Sequence, residues 1–462
     1  MNYDIRISDA EYRRLKEVLW ARPGIESAAF MLAGIQRTSK STRILIRRVI
    51  EIPDTEYDVR SSYRIELSTR AVNGLAALCE VNGLIAVLAH SHPNDSPYSP
   101  SDDHGEARIA KALWPYMPEP LLGSLLMTPD RLHGRVWVAG SLSSEIVSQV
   151  SIVGRTVRTI RTADVADYSP TFAFGQQSRQ ILAFGEAGQK AMSAMRVVVV
   201  GVGGTGSSVA EQLARLGVKD IVLIDYDELD ISNVSRVYGS TLRDSFRWSW
   251  LPKRLYRTRK VYVVAKYLRK IAPDVQVKAV VGNITDRTTA KHLFDRDVIF
   301  SCTDDHWGRS VINQISYQYL IPCINVGISI KCEDDAVSHG VGNVQLLRPD
   351  AGCLWCGGYL NSERIRAESL PIDERVALQK EGYLGDIDEP APSVISLTTT
   401  VASLAVTWFI QLATDFAGSH AEYSRQNYDF VSGTVRRGII TPDPGCICAR
   451  VRGRGDLEPL PF

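Results

Sequence analysis

The sequence predicts an α/β protein in two parts: an α+β segment, followed by a doubly wound sheet. Three observations predict it. Residues 195–217, MRVVVVGVGGTGSSVAEQLARLG, read as a strand, a glycine turn and a helix. After them strand-like and helix-like runs alternate, the pattern of a mostly parallel sheet with helices on both faces. Before them, the first 145 or so residues hold several strand-like runs and one clear helical stretch.

Taken in order, Asp9–Leu19 is the first helix candidate, and RILIRRVI (43–50) and GLIAVLAH (83–90) are apolar, β-branched runs of strand length. GSLLMTP and GRVWVAG add two later strands. The stretch SIVGRTVRTIRTADVADYSPTF is basic and then polar, which suits a linker. We therefore divide the chain into domains at 1–145 and 170–462, joined by a linker at 146–169. In the second domain KDIVLIDYD, DVIFSCTDD and IPCINVGIS read as strands and KVYVVAKYLRKIAP as a helix.

Composition narrows the function. A chain of 462 residues, 45% hydrophobic and 23% charged, is that of a soluble globular protein. A net charge of +1 gives no electrostatic pull toward nucleic acid or an anionic membrane. Residues 390–414 carry no charge and are long enough to span a bilayer, but Ser and Thr dilute them and no basic cluster flanks them, so we expect a buried helix. Met1–Ala10 has no apolar signal region, and four of the eight cysteines form two close pairs. Both features point to a reducing cytoplasm and to metal ligation rather than disulfides.

The first chemical constellation ends the strand GLIAVLAH. His90 and His92 lie at i and i+2, on one side of an extended chain, so both imidazoles can reach one ion. Asp102 follows in Ser99-Pro100-Ser101-Asp102. Two histidines and a carboxylate make a three-ligand zinc site that leaves a position open for water, the catalytic arrangement. This pattern resembles the JAMM (JAB/MPN+) metalloproteases, whose signature is a remote Glu, then HxHP, then SxxD. The resemblance covers residues 1 to about 145 and implies a JAB/MPN-like fold with isopeptidase activity. It implies His90, His92 and Asp102 as ligands, Ser99 as the oxyanion donor and Glu26, in GIESAAFMLAG, as general acid/base. Glu51, Glu56 and Glu66 also precede the motif, and Asp103 or His104 adjoins the third ligand.

The second constellation is Gly201-Val202-Gly203-Gly204-Thr205-Gly206, a GxGxxG loop that brings backbone close to phosphate at a helix N-terminus. Alone it also suits nicotinamide or flavin enzymes. The neighbours discriminate. Asp225 ends the next strand, Asp225-Tyr226-Asp227 runs into ELDISNVSR with Asn233 and Arg236, Lys260 opens a helix, and Asp304 and Arg309 follow a later strand. Cations that hold a triphosphate and a carboxylate for magnesium belong to an ATP site. These residues look like the ThiF/ubiquitin-activating adenylyltransferases over roughly 170–450. The resemblance implies ATP bound through Gly201, Gly203, Gly204, Gly206, Asp225 and Asp227, with Asn233, Arg236, Lys260 and Arg309 on the phosphates and Asp304 on magnesium. It also implies a homodimer, since Arg179 in QSRQILAFG would act across the interface.

Cys353-Leu-Trp-Cys356 and Cys446-Ile-Cys448 make the third constellation, four thiols suited to a closed structural zinc site. The ThiF-like family carries such a zinc. Family members that pass their product to a thioester usually have a cysteine between the pairs, but residues 357–445 contain none. The expectation is therefore a bifunctional cytoplasmic enzyme that cleaves after the C-terminal glycine of a ubiquitin-like protein and adenylates that glycine. Its further partner would be a conjugating enzyme. The rivals are adenylation for thiocarboxylate formation with a sulfur donor, and a non-catalytic binding scaffold.

Overall fold

In β1 (Asn2–Ser8) the side chains of Tyr3, Ile5 and Ile7 point inward with the period of two that a pleated strand imposes. This strand pairs in parallel on both edges, with β3 (Ser41–Glu51) and with β9 (Glu145–Val153). The ring closes through β2 (Ala28–Arg37), β6 (Ile85–Ser91), β7 (Leu121–Met127) and β8 (Leu132–Val138), with β10 (Val157–Arg161) paired to β9. Closure of this barrel-like sheet leaves few free edges. A hairpin of β4 (Tyr57–Arg60) and β5 (Ile65–Leu67) stands apart from it. The computed structural model describes residues 2–38, 41–163, 175–245, 258–381 and 392–462.

Three helices pack on this sheet. α1 (Asp9–Leu19) starts where Ser8 accepts from the Glu11 N–H at 3.2 Å. α2 (Thr69–Asn82) is capped by Ser68 and stops at Gly83, whose φ is 58°. α3 (Pro100–Leu113) has Ser99 as its N-cap and a proline in its first turn, a position where no N–H is needed.

Two boundaries differ from the sequence expectation. The described part of the expected linker 146–169 carries β9 and β10, because its apolar residues Val147, Val150 and Ile152 are buried in the barrel core; residues 164–169 lie outside the described residues. The segments Gln318–Leu320 and Val451–Pro459 also belong to this first unit rather than to the second. Gly34 N–H donates to Gly453 O at 3.0 Å, Asp456 N–H to Ile35 O at 2.6 Å and Gln318 Nε2 to Gly455 O at 2.8 Å. A side chain on Gly34 would put its Cβ 2.3 Å from the Arg454 carbonyl oxygen.

The second unit contains the remaining described residues from 175 onward. Its sheet runs β13 (Gln276–Val280), β12 (Asp220–Ile224), β11 (Arg196–Val200), β14 (Val298–Ser301), β15 (Cys323–Glu333), β16 (Ala336–Leu347), β17 (Arg425–Asp429) and β18 (Val435–Gly438). The first five are parallel and the last three join antiparallel. Its helices are α4 (Ser178–Ala194), α5 (Gly204–Arg215), the short α6 (Leu242–Ser245), α7 (Lys260–Ile271) and the short α8 (Arg287–Ala290). α9 (His306–Gln318), α10 (Ser362–Ser369), α11 (Ile372–Lys380), α12 (Ile395–Thr414) and α13 (Ile447–Val451) follow. The parallel strands are buried on both faces, so they read as continuous runs such as RVVVV rather than as alternation. The expected doubly wound α/β arrangement is present. By length and composition α12 can cross a membrane. Here it packs against α5, α4, β15 and β16, burying Val401, Ala405 and Phe409, while Thr400, Ser403 and Thr407 bond the carbonyls four residues back.

Gly34→Ala should lower stability by about 1–3 kcal/mol, since the Val451–Pro459 backbone must shift to admit the methyl group. Urea unfolding followed by tryptophan fluorescence measures it, and an unchanged midpoint would mean that the segment does not pack there.

Candidate functional site

Parallel strands β11, β12 and β14 end at one edge of their sheet, where α/β proteins gather ligands. Beyond β11 the chain turns at Gly201 with φ of 84°, and a Cβ there would lie 2.7 Å from the Cys302 backbone. A Cβ on Gly206 would fall 1.8 Å from Gly201 O. Gly201 therefore packs the loop against the chain that leaves β14, and Gly206 packs it on itself. Gly203 instead opens onto free space, and no side chain caps α5 at its N-terminus.

A cavity of about 390 Å³ lies over this loop. Asp225, Asp227, Arg236, Lys260 and Asp304 line it with Gly201, Gly203 and Gly204. Asp225 is buried, and its carboxylate accepts from Val202 N–H at 2.6 Å and Asp227 N–H at 2.7 Å. Burial raises its pKa, with Lys260 and those two N–H groups offsetting part of the rise. Lys260, the first residue of α7, holds Asp227 at 2.6 Å. Arg236 borders the cavity with Nη1 on Ser232 O at 3.0 Å.

Two expected contacts have other employment. Asn233 is buried in a capping box in which its Oδ1 accepts from Asp230 N–H at 3.1 Å, and it does not line the cavity. Arg309 borders the cavity but directs its donors to Thr303 O, Val326 O, Asn325 and the Tyr359 hydroxyl. It braces the cavity floor rather than reaching for phosphate. Asp305 accepts from Thr303 Oγ1 and from the N–H of Gly308, the third residue of α9, so it caps that helix and leaves Asp304 exposed to the cavity. Arg179 is exposed on the first turn of α4 and is not among the residues that line the cavity.

In the first unit β6 delivers His90, and His92 follows one residue past its end. The capping box of α3 presents Asp102: Ser99 N–H and Oγ both donate to Asp102 Oδ2 at 2.7 Å. His90 Nε2 lies 3.5 Å from Asp102 Oδ1, and His92 Nε2 lies 3.6 Å from Asp102 Oδ2 and 3.7 Å from Glu26 Oε1. Donor atoms of the two histidines and Asp102 all fall within 4.8 Å of one another. The arrangement fits an ion. His90 Nε2 is buried with no hydrogen-bond partner, and His92 Nδ1 bonds Ser96 O at 3.0 Å, leaving its Nε2 for a metal. Burial lowers the His90 pKa, which keeps the ring in the neutral form that binds metals. The Asp102 carboxyl is desolvated, yet His90 and the Ser99 donors hold it below its usual range. Glu26, two residues before β2, is pushed up to about 7, mainly by burial. Asp103 turns away to pair with Arg135, and His104 bonds Pro100 O on the outside of α3.

The four paired cysteines converge. Cys353 Sγ lies 3.7 Å from Cys356 and 3.5 Å from Cys446, and Cys356 lies 3.6 Å from Cys448. Zn–S bonds of about 2.3 Å place tetrahedral sulfurs about 3.8 Å apart, so these thiols already have the spacing of a four-cysteine zinc site. Hydrogen bonding from Cys448 holds the Cys353 thiol down at about 5. Burial pushes Cys302, at the cavity, up to about 12, which makes it a poor nucleophile.

A family model described as ThiF matches residues 177–448. The chain belongs to the ThiF family. The match takes in the glycine loop, the cavity and the cysteine cluster, and residues before 177 lie outside it. Among curated relatives, ubiquitin-like modifier-activating enzyme 5 of Drosophila ananassae is 30% identical over 264 residues, 54% of this chain and 58% of that protein. The enzyme of the same name from Xenopus laevis is 30% identical over 199 residues, 40% and 44% of the two chains. The chain thus spans about half the length of the curated relatives it matches. A solved structure of E. coli MccB with ATP superposes with a TM-score of 0.47 at 19% identity, covering 60% of this chain and 75% of that one.

Sequence reasoning missed several residues at these sites. Asn283 lines the cavity from a segment with no motif, and Tyr226 lines it from between Asp225 and Asp227, where only the two acids were singled out. Glu106 and Arg135 are buried beside the histidine site, and both left a signal: Glu106 is one helical turn beyond Asp102, and His133, Arg135 and Trp137 alternate along an apolar strand. Because Asp305 caps α9 and Asp304 makes no such bond, Asp305→Ala should cost about 0.5–2 kcal/mol, whereas Asp304→Ala should stay within about 0.5 kcal/mol of the parent. Paired urea titrations test this, and equal losses would contradict it.

Proposed function

We propose that this chain is a two-site enzyme of a ubiquitin-like protein pathway. Its ThiF domain would activate the C-terminal glycine of a small protein with ATP, and its N-terminal domain would be a JAMM-type zinc peptidase that cuts after that glycine. The observation that carries the activating half is the cavity, in which Asp225, Lys260, Arg236 and the open end of α5 face one space in a chain of the ThiF family. A glycine carboxylate oxygen would attack the α-phosphorus of ATP, forming the acyl-phosphate anhydride and releasing pyrophosphate. Lys260 and Arg236 would hold the phosphates, Asp225 the ribose and Asp304 magnesium. Arg179, exposed on α4, would complete a second copy's site in a homodimer.

The peptidase half is supported by the three metal-type donors gathered beside a buried carboxyl. Zinc held by His90, His92 and Asp102 would supply a Lewis acid and a more acidic water. Glu26 would take a proton at its Oε1 and return it to the leaving amine. Ser99 would stabilise the oxyanion once its hydroxyl turns from Asp102. A second zinc would be structural, held by the four cysteines. The lack of a cysteine in 357–445 favours a second reading, in which sulfide attacks the acyl carbon of the anhydride, forming a C–S bond and expelling AMP to leave a thiocarboxylate.

ATP–pyrophosphate exchange should appear only with a partner that ends in glycine. Lys260→Ala should lower it about 100-fold, and His92→Ala should leave it intact. Exchange that ignores the partner's terminus would refute the activating half. Zinc analysis should find about two ions per chain, falling to about one in either Cys356→Ser or His92→Ala. A chain with one ion, unaltered by His92→Ala, would refute the peptidase half.

A further inference from the structure

The loop that joins His92 to α3 carries only one large side chain, Tyr98, immediately before the N-cap Ser99. Its surroundings are unusual for a turn. The Arg135 guanidinium carbon sits 3.7 Å over the centre of its ring, and the Tyr98 hydroxyl lies 3.0 Å from Ser124 Oγ on β7. The ring also stands 5.8 Å from that of His90. Arg135 is buried on β8 and reaches α3 twice, with Nε on Glu106 Oε2 at 2.7 Å and Nη1 on Asp103. Ser124 donates to Glu106 Oε1 at 2.6 Å. That carboxylate can only accept, so the Ser124 proton is committed to it and the Tyr98 hydroxyl must donate to Ser124.

The contacts form a closed box: Tyr98 to Ser124, Ser124 to Glu106, Glu106 to Arg135, and Arg135 back onto Tyr98. One wall is the loop, one is α3 and two are neighbouring strands of the barrel. A buried ion pair of this kind contributes little net stability compared with apolar packing, and its attested use is to specify one arrangement. The arrangement at stake here is the register of α3. Glu106 stands one turn beyond Asp102 on that helix, and Tyr98 adjoins Ser99, so the box clamps the helix start from both sides.

We propose that Glu106, Arg135 and Tyr98 are positioning residues that hold Ser99 and Asp102 in register with His90 and His92, and so set the affinity and geometry of the metal site. This rests on the zinc reading of that site given above. None of the three touches the expected ion. They act through the helix and the loop, as the partners of metal ligands do in general, where their removal costs about 10–100-fold in affinity.

The test uses the full chain with its cysteine cluster loaded with zinc, titrated with cobalt(II) as a spectroscopic probe. Glu106→Gln and Tyr98→Leu should each weaken the cobalt site about 10–100-fold and alter its visible d–d band. Tyr98→Phe keeps the stacked ring and should recover most of the affinity. Folding is checked by near-UV circular dichroism, and Tyr98→Leu, on the partly exposed loop, carries the test if Glu106→Gln does not fold. Unchanged affinity and band in a folded Tyr98→Leu protein would overturn the proposal. If His92→Ala binds the second ion as well as the parent does, the zinc reading itself fails, and the proposal with it.

Discussion

A helix begins with several N–H groups that have no partner within it, and the way each is satisfied organises both units of this protein. At α3, Ser99 and Asp102 satisfy each other in a capping box, which places the Asp102 carboxylate among the histidines. At α9, Asp305 takes the Gly308 N–H and leaves Asp304 pointing into the cavity. At α5 no side chain caps the helix, and the glycine loop keeps the space before it open. Capped ends aim carboxylates; the uncapped end is where an anion is best received.

This explains why neighbouring residues of one type do different work. Asp102 and Asp103 are adjacent acids, yet one is the N3 residue of a cap and the other pairs with Arg135. Asp304 and Asp305 both border the cavity, but Asp305 also caps α9. Arg309 and Arg236 are both arginines bordering the cavity. Burial turns Arg309 into a brace for Thr303, Asn325 and Val326, whereas Arg236, partly exposed, bonds Ser232 O from Nη1.

Much of the fold was legible because the parallel strands of the second unit are continuous apolar runs and the glycine loop punctuates the first βα turn. The histidine cluster was legible because its members are close in sequence and share one strand end. What stayed hidden depends on long-range packing. The Val451–Pro459 segment looks like a polar tail, and the missing side chains at Gly455 and at Gly34, some 400 residues earlier, make room for it. Strands β9 and β10 read as a linker because their apolar residues alternate with basic and polar ones in a short span. The Glu106–Arg135 pair joins a helix to a strand about thirty residues on, beyond the reach of any local pattern. Asn233 matched a phosphate-contact motif, but its side chain closes a cap, a choice that sequence spacing does not reveal.

Under the proposed function, cleavage and activation act in sequence on one glycine: the N-terminal domain would expose the carboxylate that the ThiF domain would then adenylate. The most direct measurement is intact-mass analysis of a ubiquitin-like precursor that extends beyond its glycine, incubated with ATP and either the parent chain or His92→Ala. The parent should trim the precursor and then form the adenylate. His92→Ala should do neither with the precursor, yet still adenylate a partner supplied already trimmed. Trimming of the precursor by His92→Ala, or a precursor left uncut by the zinc-loaded parent, would contradict the proposed function.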